Sequence, residues 1–194
     1  MKAKIPFVIL LVSLVFVGFS QKLPKVTLET PFGKIVCEID TVHAPVTALN
    51  FLRHIELKTY NDAVFYRVVR LDNQPNSKIK IEVIQGGLYA DEKIDRQPTI
   101  PHETTKTTGL KHLDGTISMA RNQPGTASTE FFICVGDQPE LDFGGSRNGD
   151  GQGFSAFGKV IEGMDVVRKI QLQKDTSQYL VEPVKILKME IAGK

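Results

Sequence analysis

Short runs of β-branched and aromatic residues, separated by turn residues, constrain the fold of this chain more than any other feature. The runs cover 26–40, 64–69, 79–85, 116–120, 130–135, 154–160 and 184–191. Runs of this kind, bounded by glycine, proline and asparagine, are typical of β-strands. The first contains a Pro-Phe-Gly turn, which indicates a hairpin. Since the runs do not alternate regularly with helical segments, we predict a mainly antiparallel sheet.

Two segments carry a helical pattern instead. Pro45 is a favourable first residue, and apolar residues at spacings of three predict an amphipathic helix over 45–57. A shorter helix is predicted over 164–170. Polar, glycine-bearing and proline-bearing stretches are predicted to be exposed loops at 70–78, 88–112 and 136–153.

The N-terminus has the composition of a secretory signal peptide. Two lysines precede an apolar run from residue 6 to 19, which is shorter than the about 20 residues that span a bilayer as a helix. The small residues Gly18 and Ser20 suit cleavage before Gln21. We therefore predict a signal peptide over 1–20 and a periplasmic or extracellular protein. The alternative is an N-terminal membrane anchor that remains uncleaved.

The remaining composition favours one globular domain over 21–194. The whole chain has 194 residues, and its 24 basic and 22 acidic side chains leave a net charge of +2. The basic residues are spread along the sequence and form no stripe, so we expect no nucleic-acid partner. We expect the mature protein to be a monomer with no stable membrane insertion.

No residue pattern predicts a metal site or a cofactor. Cys37 and Cys134 each lie inside an apolar run, so we predict two buried free thiols. There is no CxxC, HExxH or GxSxG motif. Asn148 and Asp150 are similar to the start of a calcium loop, but Lys159 stands where its bidentate glutamate belongs.

Four blocks in a fixed order carry a family resemblance. They are FYRVV at 65–69, IQGG at 84–87, SMARNQPGTASTEFFI at 118–133, and LDFG at 141–144 with AFGKVIEGMDVV at 156–167. Together they resemble the cyclophilins over essentially the whole mature chain. The resemblance implies a closed eight-stranded antiparallel β-barrel capped by two α-helices, in agreement with the strand pattern. It also implies peptidyl-prolyl cis-trans isomerase activity on proline-containing polypeptides, without a cofactor.

The resemblance further implies a proline-binding groove on the outside of the barrel. Arg67, Gln85 and Phe132 occupy its catalytic positions. The residues that it predicts to bind substrate are Tyr66, Val83, Ala120, Arg121, Glu130, Leu141 and Phe154.

The chemistry of prolyl isomerisation suits these residue types. The reaction needs no nucleophile, because it is rotation about an amide bond whose nitrogen becomes pyramidal in the transition state. A permanently charged guanidinium at Arg67 can bind that nitrogen, and Gln85 can accept from Arg67 and donate to the substrate carbonyl. Neighbouring strand residues face opposite sides, so we predict Phe132 in the groove and Phe131 in the core.

Several groove positions depart from the usual family pattern. Glu82, Glu130 and Glu140 stand where other residues are common. Glu130 could pair with Arg67, either orienting it or competing for its donors, and the sequence leaves both outcomes open. About ten extra residues follow Arg67, centred on 70–78. These departures motivate the alternative function of a non-catalytic module or chaperone that binds proline-containing segments.

Overall fold

A computed structural model describes residues 22–193, so the predicted signal peptide and its cleavage site lie outside the described residues. The described strands are β1 (Lys25–Thr30), β2 (Gly33–Ile39), β3 (Val64–Val69), β4 (Val83–Gly87), β5 (Thr116–Met119), β6 (Phe131–Cys134), β7 (Ser155–Glu162), β8 (Asp175–Thr176), β9 (Tyr179–Lys185) and β10 (Lys188–Ile191). They form one antiparallel sheet in the order β10-β1-β2-β7-β5-β6-β4-β3-β9-β8. The mainly antiparallel fold predicted from the strand pattern is confirmed.

The C-terminal segment connects the two ends of this series. β9 pairs with β3, and β10 pairs with β1. Between them, the backbone N–H groups of Ile186 and Leu187 donate to the carbonyl oxygens of Ala63 and Glu29, at 2.9 and 2.8 Å. The final strand therefore changes partner at Ile186 and is divided in two there. Counting β9 and β10 as halves of one strand, and β8 as its short extension, reconciles the ten described strands with the predicted eight-stranded barrel.

In the part of the chain that the structure describes, four α-helices accompany the sheet instead of the predicted two. The predicted pair corresponds to α1 (Pro45–Glu56) and α4 (Met164–Gln171). The additional α2 (Asp91–Ile94) and α3 (Thr105–Thr108) are single turns inside the predicted loop 88–112, too short to produce a helical period. Within residues 22–193, no helix is long and apolar enough to cross a membrane.

Aromatic side chains form the centre of the main core. Phe51 from α1 contacts Phe131 and Phe157 with ring centroids 5.4 and 5.1 Å apart, and all three rings are fully buried. The prediction that Phe131 faces the core is confirmed. Cys37 and Cys134 are buried free thiols, as predicted.

The segment after β3 differs from its prediction. A strand was expected from residue 79, but β4 begins at Val83, because the β3 ladder ends with Val69 opposite Val83. The intervening loop, 70–82, is built around a buried side chain rather than exposed throughout. The Gln74 amide donates to the carbonyl oxygens of Arg70 and Ile81 at 2.7 and 2.8 Å, and its oxygen accepts from the Ile81 N–H.

This loop predicts a measurable stability effect. Gln74→Ala removes three hydrogen bonds to backbone groups of Arg70 and Ile81, so we expect the free energy of unfolding to fall by about 2 kcal/mol in urea titrations. Gln97→Ala, which removes a single surface hydrogen bond, is the matched control and should change it by less than about 0.5 kcal/mol. Equal effects of the two substitutions would contradict an ordered loop.

Candidate active site

Arg67, Gln85 and Phe132 lie in one row across three neighbouring strands. Arg67 on β3 is the cross-strand partner of Gln85 on β4, and Gln85 is the partner of Phe132 on β6. Directly opposed residues of an antiparallel pair point to the same face, so the three side chains project from one surface. The structure therefore brings together the three residues predicted to be catalytic.

A β-bulge at Tyr66 brings two consecutive side chains to this surface. Pairing between β3 and β4 passes from Phe65 opposite Gly86 directly to Arg67 opposite Gln85. The extra residue shifts the alternation of the strand by one position. Phe65 consequently points into the main core, whereas Tyr66 and Arg67 both line the groove.

The groove is a cavity of about 280 Å³ on the outer face of the sheet. Its lining contains every residue predicted for the site except Glu130: Tyr66, Arg67, Val83, Gln85, Ala120, Arg121, Phe132, Leu141 and Phe154. Three further residues, Ile81, Asn122 and Tyr179, complete the lining.

Apolar side chains form the floor of the groove. Phe132, Val83 and Leu141 belong to a buried cluster that is separate from the main core. Phe154 packs edge to face against Phe132, with ring centroids 5.2 Å apart. The His112 ring stacks on Phe132 at 5.9 Å. These contacts hold the Phe132 ring as a fixed apolar surface on which a nonpolar ring can rest.

The guanidinium of Arg67 is held by two neutral oxygens. Nη1 donates to Gln85 Oε1 at 2.9 Å, while Nε and Nη2 donate to Gln178 Oε1 at 3.2 and 2.5 Å. Burial lowers the pKa of Arg67, and the neighbouring Tyr179 and Tyr66 offset part of that shift. Since no carboxylate in residues 22–193 is paired with it, its positive charge faces the groove without a counterion.

The prediction that Glu130 could pair with Arg67 is wrong. Its carboxylate is not part of the groove lining, and its Oε1 accepts a hydrogen bond from the Leu88 N–H at 2.7 Å. The space it occupies excludes a side chain at residue 87, because a Cβ on Gly87 would lie 2.3 Å from Oε1. The Glu130 carboxylate therefore lies against Leu88 and Gly87 instead of Arg67.

A hydrogen-bonded series connects Arg67, Gln85 and Tyr66. Gln85 uses its oxygen to accept from Arg67, as predicted, and its amide donates to the Tyr66 hydroxyl at 2.6 Å. The Tyr66 hydroxyl lies near the Glu130 carboxylate, whose Oε2 has no hydrogen-bond partner among residues 22–193. Among residues 22–193, the second amide N–H of Gln85 has no hydrogen-bond partner.

Arg121 contributes to the groove wall through its packing and not through a free charge. Its guanidinium donates to both oxygens of Asp150 at 2.7 and 2.9 Å, and also to the carbonyl oxygen of Gly153. It also lies over the Phe154 ring, 5.3 Å from its centroid. These contacts fasten the loop before β7 beside the groove.

No group of three or more His, Cys, Asp or Glu side chains among residues 22–193 is arranged to hold a metal ion.

Comparison with known proteins identifies the family. Residues 25–191 match the family described as "Cyclophilin type peptidyl-prolyl cis-trans isomerase/CLD". The chain belongs to this family.

Bacterial peptidyl-prolyl cis-trans isomerases match most of the chain. A peptidyl-prolyl cis-trans isomerase of Acinetobacter baylyi is 35% identical over 173 residues, which cover 86% of this chain and 84% of the relative. Peptidyl-prolyl cis-trans isomerase B of Escherichia coli is 36% identical over 147 residues, which cover 75% and 83%. Among solved structures, a cyclophilin of Cryptosporidium parvum has a TM-score of 0.70 at 20% identity, covering 89% of this chain and 99% of that one. It shares the fold.

Sequence reasoning missed two residues of this cyclophilin that adjoin Arg67. Gln178 and Tyr179 follow a two-residue strand, β8, which is too short to be seen as a pattern. Tyr179 is the β9 partner of Arg67. The run Tyr179–Leu180–Val181 was a usable strand signal, but the predicted final strand began only at residue 184.

The buried Glu130 predicts a pH dependence of stability. Burial raises its pKa, and the Leu88 N–H that donates to Oε1 offsets this only in part, while Oε2 has no hydrogen-bond partner among residues 22–193. The folded state therefore binds the proton more tightly than the unfolded state, so stability should fall as pH rises from the ordinary glutamate value through the raised one.

Glu130→Gln removes this dependence. We expect the variant to be more stable than the wild type by about 1 kcal/mol at pH 8, and the difference to vanish near pH 4, in urea titrations at each pH. Glu182→Gln, at an exposed position on β9, is the control and should leave the curve unchanged. A variant less stable than the wild type at pH 8 would show that the charged form is favoured.

Proposed function

We propose that this cyclophilin accelerates rotation about X-Pro bonds of polypeptides held in the groove, with Arg67 binding the twisted amide. The observation that carries the proposal is the position of a guanidinium without a counterion directly beside an apolar floor. Arg67 uses three of its five N–H bonds on Gln85 and Gln178. One N–H on each terminal nitrogen is left for a ligand.

The reaction needs only differential binding of the transition state. Amide resonance sets a rotation barrier of about 18–20 kcal/mol, and rotation exposes a lone pair on the prolyl nitrogen. A donor fixed beside that nitrogen binds the twisted amide more strongly than the planar one. Lowering the barrier by about 7 kcal/mol would raise the rate by about five orders of magnitude.

The remaining groove residues suit a prolyl substrate. The prolyl ring would rest on Phe132 between Val83 and Leu141. The free amide N–H of Gln85 would donate to a substrate carbonyl and restrain one side of the rotating bond. One solved cyclophilin of Cryptosporidium parvum was crystallised in the presence of the dipeptide Ala-Pro, and its TM-score to this chain is 0.69. This supports proline-containing polypeptides as the substrate class.

The cellular role that we propose is folding of exported proteins. It is supported by the N-terminal pattern of two lysines, a short apolar run and small residues before Gln21. Uncatalysed X-Pro isomerisation takes tens to hundreds of seconds and limits the folding of many chains. An isomerase released into the periplasm or outside the cell would remove that delay.

Arg67 provides the direct test of the mechanism. We expect Arg67→Ala to lower kcat/KM by about 100- to 1000-fold in an NMR exchange or protease-coupled assay on an Ala-Pro peptide, because the main donor to the twisted amide is lost. Arg168→Ala, on the exposed side of α4, is the control and should keep wild-type activity. A wild-type kcat/KM in Arg67→Ala would contradict the proposed mechanism.

The same assay decides between the enzyme and the binding module predicted as the alternative. A binding module would hold the peptide in wild type and in Arg67→Ala with similar affinity, and neither protein would accelerate exchange. The unpaired charge of Arg67 favours the enzyme. Burying a cation is unfavourable, and a site that only binds the apolar prolyl ring would gain nothing from it.

Export has its own test. N-terminal sequencing of the protein from an extracytoplasmic fraction should give a chain that begins at Gln21. An intact Met1 in the membrane fraction would instead support the uncleaved anchor.

A further inference from the structure

The side chain that covers the outer edge of Arg67 comes from a turn far away in the sequence. Gln178 Oε1 accepts hydrogen bonds from both Nε and Nη2 of Arg67. The contact closes one whole side of the guanidinium, and Gln85 fixes the other terminal nitrogen. Because a guanidinium is planar, contacts on both sides determine the plane and direction of its remaining donors.

The backbone at Gln178 is held in an unfavourable conformation. Ser177 and Gln178 have φ angles of 51° and 75° and connect β8 to β9 in a two-residue turn. Such turns usually contain glycine, which has no Cβ to clash, or asparagine, whose short polar side chain tolerates a positive φ. Strained residues persist where surrounding contacts hold them, and they concentrate at functional sites.

The surrounding contacts come from the loop 70–82. The Gln178 amide donates to the Asn73 carbonyl oxygen at 3.3 Å, and the Gln178 N–H donates to the Asp175 carboxylate at 3.0 Å. Asp175 is itself bound by Arg70 and by the Asn73 amide. The loop 70–82 and β8 thus together hold Gln178 against Arg67.

We propose that Gln178 is a positioning residue that orients the Arg67 guanidinium towards the groove, and that the loop 70–82 keeps it in place. The proposal rests on the function proposed above for Arg67. A neutral amide oxygen suits this task, because it accepts two N–H bonds without cancelling the positive charge. Loss of this contact lets the guanidinium swing on its flexible stem, which lowers the fraction of time in which its donors face the prolyl nitrogen.

Gln178→Gly separates this role from a structural one, because glycine adopts a positive φ without strain. We expect the melting temperature to stay at or above the wild-type value, while kcat falls about tenfold and KM changes less than twofold. We also expect the NMR order parameter of the Arg67 Nε–H bond to fall. Ser177→Gly relaxes the same turn without touching Arg67 and is the matched control, with wild-type turnover and an unchanged Arg67 signal.

The outcomes distinguish the two proposals. Wild-type kcat together with an unchanged Arg67 signal in Gln178→Gly would overturn the positioning role. A reduced kcat with an unchanged Arg67 signal and a lowered melting temperature would also overturn it, in favour of a structural role. If wild-type protein fails to isomerise an Ala-Pro peptide, the proposed function fails, and the Arg67 Nε–H signal alone then decides the positioning role.

Discussion

The pairing register of β3, β4 and β6 is the constraint on which the rest of the site depends. It sets Arg67 opposite Gln85 and Gln85 opposite Phe132, so a cation, an amide and an aromatic ring share one face. A slip of one residue would turn each side chain into the core and bring core residues to the surface. The main core resists such a slip because Phe65 and Phe131, the neighbours of site residues along their strands, are fully buried on the opposite face.

Around this row, two arginines are paired with carboxylates, whereas Arg67 is not. Arg121 is paired with Asp150, and Arg70 with Asp175. Arg67 is bound only through glutamine oxygens, which orient it and leave its charge intact. The desolvation of a cation in such a position is unfavourable, as the lowered pKa of Arg67 reflects. In the mechanism proposed above, this unfavourable burial strengthens the interaction of Arg67 with the lone pair that develops on the prolyl nitrogen.

Segments that are distant in the sequence hold several local structures in place. The N-terminus of α1 lacks a side-chain cap of its own and donates from Thr47 N–H to the Glu103 carboxylate at 2.7 Å. Gln178 reaches Arg67 from a turn more than 100 positions away along the chain. Contacts of this kind depend on where the strands bring the loops, so the periodicity of a local window contains no sign of them.

The sequence by itself determined the strand-rich class, the helices α1 and α4, the division of Phe131 and Phe132 between core and groove, and the family through its ordered motifs. These follow from local period and residue type, which a linear chain displays directly. Only the tertiary structure decided that Tyr66 sits in a bulge, that Glu130 turns away from Arg67 and that Gln178 replaces it as a partner. Each of these depends on the register between strands and on the path of the loops, because a hydrogen bond joins atoms that are near in space whatever their separation along the chain.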